Sequence, residues 1–159
     1  MGNVQWQRGK SFEDEIRRSC TLIEDSWRLR LTDGRCAGPR PADMLLITPD
    51  GNYLMELKRR AHKNFHLKYL EKHQIEGLLK FSEMRGPNCG LVLWSVLTAD
   101  MCRAFAIDIK EIIDYCEKKG VLSIQFEDVV ESINAVELKE ITVEGERAWD
   151  LQPMLEVFG

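Results

Sequence analysis

Three side chains in the first half of the sequence have the types and the spacing for phosphate chemistry: Asp43, Glu56 and Lys58. Glu56 and Lys58 lie two apart in the strand-like run Asn52–Lys58, so they project from one face while Met55 and Leu57 point to the other. Asp43 opens the neighbouring run, Asp43–Thr48, which brings its carboxylate to the same end of a sheet as Glu56. Two carboxylates supply the hard oxygen ligands that Mg²⁺ or Mn²⁺ takes and leave positions open for water and a phosphate oxygen. The Leu57 carbonyl offers a further ligand. Lys58 would then hold an attacking water or offset charge growing on a scissile phosphate. Phosphodiester hydrolysis asks for this combination. The plainer alternative is that Glu56 and Lys58 form an exposed ion pair worth about 0–1 kcal/mol. An E-x-K triplet alone arises by chance in many chains, whereas an Asp, a hairpin and then E-x-K is more specific.

Two outlying residues could join this group. Glu13 sits near the start of a helical pattern, where it either leans toward the two carboxylates or simply complements the helix dipole. Gln74 falls on the stripe Leu70, Gln74, Leu78, Phe81 of a second helical pattern. An amide on an apolar face needs partners if it is buried. It could orient Lys58 or a metal-bound water, or it could stand at the stripe's edge in solvent.

The elements that must position these groups follow from periodicity. Phe12, Ile16, Ile23, Trp27 and Leu31 recur at helical spacing and predict a helix over 9–31, with Ser11 as N-cap and Asp14 and Glu15 in the first turn. Asp33-Gly34 ends it, and Arg35–Pro41 is loop. Pro49-Asp50-Gly51 joins the two strand-like runs as a hairpin. A helix at about 71–85, strands at about 89–97 and 103–108 and a helix at about 108–119 follow. The tail from Ser123 predicts a short helix and one or two more strands. The fold class is α/β: one domain over 1–159 with a core at about 8–125, built on a hairpin-led mixed sheet with helices on its faces.

The 159 residues, 44% of them hydrophobic and 30% charged, suit one domain with a real core. No apolar run nears the roughly 18 residues that cross a bilayer, and Met1–Trp6 lacks the basic start and apolar stretch of a signal peptide. A cytoplasmic protein is expected. Five scattered cysteines (Cys20, Cys36, Cys89, Cys102, Cys116) form no C-x-x-C pair and suggest neither a disulfide framework nor a zinc site. The net charge of −4 counts against nucleic-acid binding, but its distribution does not. Residues 1–90 hold 16 Lys and Arg against 12 Asp and Glu, and residues 91–159 hold 6 against 14. A polyanion could dock on the first half while the second stays a solvated acidic face, unless the asymmetry is accidental. Arg8, Lys10, Arg17, Arg59, Arg60 and Lys63 flank the carboxylates and are the candidate DNA-backbone contacts.

These segments carry a resemblance. Arg8-Gly9-Lys10-Ser11-Phe12-Glu13 resembles the opening helix of RecU-type Holliday-junction resolvases, with its R-G-x-x-(F/L)-E signature. Asp43, Gly51 and Glu56-Leu57-Lys58 are similar to that family's D-x(n)-E-x-K core, the mark of PD-(D/E)xK nucleases. Phe65–Glu76, with His73-Gln74-Ile75-Glu76, resembles the family's F-x-L-x-x-(I/F)-x-x-H-Q-(I/L)-E stretch almost position by position. The resemblance spans roughly residues 8–125. Only Asp14 to Ala42 separates Glu13 from Asp43, too short for the RecU stalk and closer to the compact archaeal (Hjc) resolvases. The resemblance implies a restriction-endonuclease-like fold and a catalytic set of Glu13, Asp43, Glu56, Lys58 and Gln74. It also implies a Mg²⁺ site drawing on Glu13, Asp43, Glu56 and Leu57, and a homodimer nicking opposite strands of a four-way DNA junction. Its rivals are another nuclease of the same fold and a non-catalytic DNA-binding module.

Overall fold

The computed structural model describes residues 3–32 and 38–159, with the side chains of Asn3, Gln5 and Trp6 outside the description. The helix end expected at Asp33-Gly34 and the first part of the expected loop, Arg35–Ala37 with Cys36, also fall outside it. The elements run α1 (Asn3–Cys20), β1 (Trp27–Arg30), β2 (Met44–Ile47), β3 (Asn52–Arg60), β4 (Phe65–His66), a 3₁₀ turn (Leu67–Tyr69) and α2 (Lys72–Glu83). They continue with β5 (Asn88–Leu97), β6 (Cys102–Asp108), α3 (Ile109–Lys119), β7 (Ser123–Ile124), α4 (Phe126–Glu131), β8 (Val136–Val143), β9 (Glu146–Asp150) and α5 (Gln152–Phe158).

Seven strands form one sheet in the order β1-β2-β3-β5-β6-β8-β9, and β4 pairs with β7 apart from it. Among the described residues only the β3–β5 pair is parallel; α2 makes the crossover between them. The architecture is the α/β mixed sheet flanked by helices that the sequence predicts. The C-terminal residues are part of it, since β8 and β9 complete the same sheet.

The hairpin forms where expected. Gly51 N–H donates to Thr48 Oγ1 at 3.1 Å and Thr48 N–H to Gly51 O at 2.9 Å, closing the turn that sets Met44 opposite Met55. Alternation along β3 then divides the molecule. Met55 and Leu57 enter a core shared with Phe12 and Ile16 of α1 and Met154 of α5. Leu54 enters a second core shared with Leu78 of α2, Ile112 of α3 and Val129 of α4. Close packing of α2 on β5 relies on Gly90, where a Cβ would stand 2.4 Å from the Leu78 carbonyl.

The first predicted helix is corrected. It begins by Asn3 and ends at Cys20, and Trp27–Arg30 is a strand on β2. Trp27, Leu29 and Leu31 fit a period of two as well as one of 3.6, and backbone pairing to Met44–Ile47 decides between them. Asp25, at φ +52°, marks the break. Ser11 is therefore no cap: it lies inside the helix and donates to Glu15 Oε2 at 3.1 Å. Trp94 and Trp149 are core residues.

A buried ion pair ties α1 to the sheet. Arg59 is 0% exposed and forks onto Glu15, Nη1 to Oε2 at 2.5 Å and Nη2 to Oε1 at 2.8 Å, while its Nε donates to Ser95 Oγ at 3.0 Å. Burial alone would raise the Glu15 carboxyl, but the Arg59 hydrogen bonds and charge, with help from Trp149 and Ser11, hold it below the usual carboxylate value. Its contribution to stability is thus complete above pH about 4.5 and fades as the pH falls through the lowered value. Arg59→Ala strands a buried carboxylate and is expected to cost about 3–5 kcal/mol at pH 7 by urea denaturation. The gap to wild type should narrow as the pH falls toward 4.5 and the stranded carboxyl takes up a proton; a gap constant with pH would show that lost packing, not lost charge, sets the cost.

Candidate active site

Asp43 sits just ahead of β2 yet is held by the sheet. Its backbone N–H donates to Met55 O at 3.0 Å, and its carbonyl accepts from Leu31 N–H at 2.9 Å. Its side chain turns across the hairpin, so that Oδ2 accepts from Leu57 N–H at 2.8 Å and Oδ1 pairs with Arg40 at 3.2 Å. Glu56 and Lys58 project from the α2 face of β3 and pair at 2.8 Å, Lys58 Nζ to Glu56 Oε1. This is no exposed ion pair: Glu56 is 1% exposed.

Gln74 is buried within the stripe of α2. Its amide is clamped at both ends. Oε1 accepts from Glu71 N–H at 2.9 Å, and Nε2 donates to Glu56 Oε1 at 2.9 Å. Gln74 thus orients the Glu56 carboxylate rather than Lys58. Glu56 Oε2, buried beside these bonds, has no hydrogen-bond partner.

Glu13 arrives from α1, on the opposite face of the sheet. It pairs with Arg30 of β1 at 3.3 Å. Burial raises its carboxyl above the usual value and the Asp43 charge raises it further, while Arg30 and Arg40 oppose them. The same causes act on Glu56. Burial first, then the Asp43 charge, push it up to about 7 against Lys58 and Arg40. Asp43 thus acts on Glu56 beside it and on Glu13 across the sheet. Among the described residues no three His, Cys, Asp or Glu side chains stand at the spacing of a ready-made metal cage. The donor set nevertheless fits a hard divalent cation: three carboxylates, two of them raised by burial and by Asp43, and one buried oxygen with no partner.

A family model described as archaeal Holliday junction resolvase (hjc) matches residues 5–138. The chain belongs to that family. A solved structure of Archaeoglobus fulgidus Hjc, described as a Holliday junction resolvase from an archaeal hyperthermophile, is similar at a TM-score of 0.45 and 19% identity. That similarity covers 65% of this chain and 79% of that one. No curated protein matches the sequence.

Among the basic residues picked from the sequence of this Hjc-family chain, Arg59 is corrected. It is fully buried on Glu15 with its guanidinium 4.8 Å from the Phe12 ring centre, and it offers nothing to DNA. Arg60 is partly buried, its guanidinium 4.7 Å from the Tyr69 ring centre. Lys10, Arg17 and Lys63 are exposed and Arg8 is partly so. The sequence reading missed Arg28, Arg30 and Arg40. Arg28 and Arg30 line a cleft of about 260 Å³ with Lys10, Glu13, Asp14, Arg17 and Met44. Their alternation with Trp27 and Leu29 was the available signal, and it reads as such only once the segment is a strand.

Ionising Glu56 opposes folding, which gives the site a pH signature. Its folded value lies above the unfolded one, so the protonated form favours the fold below pH about 4.5, and that advantage is lost as the pH rises through 7. Glu56→Gln is accordingly expected to be more stable than wild type at pH 8 in EDTA, by about 1–3 kcal/mol. The difference should be near zero at pH 4.5. Thermal melts at the two pH values check this, and a variant less stable at pH 8 would remove the burial argument.

Proposed function

We propose that this chain is a structure-specific endodeoxyribonuclease that resolves four-way DNA junctions by metal-dependent phosphodiester hydrolysis, with paired nicks made by a homodimer. The observation that carries the reading is the convergence of Asp43, Glu56 and Lys58 on one end of the β2–β3 hairpin, with Gln74 locked onto Glu56, in a chain of the archaeal Holliday junction resolvase family.

Asp43 and Glu56, with Glu13 and the Leu57 carbonyl, are the residues to hold Mg²⁺, and Mn²⁺ should substitute. When bound, the ion supplies Lewis-acid activation of phosphate and water. Lys58 sets an ammonium beside Glu56, where it can orient water or offset charge on the phosphate. Gln74 tethers the Glu56 carboxylate to α2, and Arg40 holds Asp43 in place. The cleft lined by Lys10, Arg17, Arg28 and Arg30 opens beside Glu13 and suits a phosphate backbone approaching the site. Arg8, Arg60 and Lys63 remain further candidates for backbone contact.

A homodimer is the economical way to deliver two coordinated incisions, since one twofold axis sets two identical sites at fixed spacing. The β1 edge of the sheet supports it. β1 is the terminal strand, and Trp27 is 55% exposed on it, next to Leu29 and opposite Ile47, both also exposed. No described helix is long and apolar enough to cross a membrane.

Incubation with Mg²⁺ and a linear duplex, a single strand and a four-way junction should give symmetric nicks near the branch point of the junction alone. Progressive shortening of the duplex would point to an exonuclease instead. Asp43→Asn is expected to abolish cleavage and leave junction affinity in EDTA within a few-fold of wild type, because Lys and Arg contacts supply most of that affinity. A variant that still cuts at near wild-type rate would remove Asp43 from the chemistry.

Replacing Lys10 and Arg17 together by Ala should flatten the slope of log affinity against log salt by roughly one to two units, at about 0.9 for each phosphate neutralised. Light scattering should report a mass near twice 18.4 kDa. A monomer making single nicks would overturn the paired mechanism.

A further inference from the structure

The family match ends at residue 138, yet the chain beyond it reaches back into the scaffold of the site. β9 lies against α1. The Trp149 backbone N–H donates to Ser19 Oγ at 2.7 Å, and its indole Nε1–H donates to Glu15 Oε1 at 2.9 Å. Further out, Arg18 donates to the Arg147 carbonyl at 3.2 Å and pairs with Glu146 at 3.0 Å. With Trp149 in place, each Glu15 oxygen has two donors: Ser11 and Arg59 on Oε2, Arg59 and Trp149 on Oε1.

Glu13 stands two residues before Glu15 on α1. At about 100° per residue the two side chains leave the helix about 200° apart. Glu15 is fixed to the sheet, while Glu13 pairs with Arg30 and lines a cleft with Met44, the neighbour of Asp43. Whatever fixes Glu15 on Arg59 therefore fixes the rotation of α1, and with it the direction of Glu13. Arg59 in turn follows Lys58 directly on β3, so the reference point is the site strand itself.

We propose that Trp149 is a positioning residue for the cation site: its indole N–H holds the Glu15 carboxylate on Arg59 and so sets the rotation of α1 that directs Glu13 toward Asp43. The proposal rests on the reading of Glu13, Asp43 and Glu56 as the metal-holding set. A tryptophan that only filled the core would act through the volume of its ring. The role assigned here belongs to one N–H, and the two can be separated.

The separating variant carries benzothienylalanine at position 149, which keeps the shape of the ring and puts sulfur where the N–H was. It can be introduced by ligating a synthetic C-terminal peptide; Trp149→Phe is its encoded counterpart. Mn²⁺ binding to the metal-free full-length protein is measured by calorimetry, and junction affinity is measured in EDTA. Removing a residue that orients a ligand commonly costs 10–100-fold in metal affinity, and one step further out a loss of roughly five- to tenfold is expected for both variants. Junction affinity in EDTA should stay within twofold of wild type. Arg18→Gln, which severs the outer contacts of β9 but leaves the indole, should keep wild-type Mn²⁺ affinity.

A benzothienylalanine variant that binds Mn²⁺ as wild type does overturns the proposal, whatever Trp149→Phe shows. An equal loss in Arg18→Gln also overturns it, since the hairpin would then act as a whole. A wild-type protein that binds no Mn²⁺, or an Asp43→Asn variant that binds it unchanged, overturns the metal reading itself, and the proposal falls with it.

Discussion

Arg59 has no access to water, and a guanidinium cannot discharge itself, so its charge must be met inside the protein. Glu15 meets it with two parallel hydrogen bonds. The pair spans the gap between α1 and β3, and it sits one residue along β3 from Lys58. Hydrophobic contact alone would leave α1 free to slide or rotate on the sheet, because Phe12 and Ile16 pack without direction. A forked ion pair has a direction. It gives the helix bearing Glu13 a fixed setting against the strand bearing Glu56 and Lys58.

β3 is thus read from both faces. On one, Arg59 anchors α1. On the other, Glu56 and Lys58 meet Gln74 of α2. Asp43 joins from the adjacent strand by accepting a hydrogen bond from the β3 backbone itself. Every residue of the candidate site is therefore referred to one strand, buried along most of its length. That is the rigidity a site needs when its groups come from four segments of chain.

Rigidity comes with electrostatic tension. Burial raises the carboxyls of Glu13 and Glu56, and the Asp43 charge raises each of them further. Arg30, Arg40 and Lys58 oppose this without cancelling it, and one Glu56 oxygen is left with no partner. A site that is costly to assemble and incompletely satisfied is the usual mark of a place kept for binding rather than for stability.

The sequence by itself determined the parts whose signals are local. Pro49-Asp50-Gly51 between two apolar runs could hardly be anything but a hairpin, and the period of two along β3 put Glu56 and Lys58 on one face. The stripe of α2 placed an amide at Gln74 among apolar residues. Only the tertiary structure decided the rest. Trp27–Arg30 is a strand because Met44–Ile47 lies beside it to pair with, a contact that no window of local periodicity contains. Without that strand Arg28 and Arg30 could not be set around Glu13. Arg59 and Arg60 look alike in the sequence, yet alternation sends Arg59 inward onto Glu15 and leaves Arg60 against Tyr69. Trp149 shows the limit most clearly. It lies 134 residues from the carboxylate it binds, and an interaction at that separation exists only once the sheet has closed.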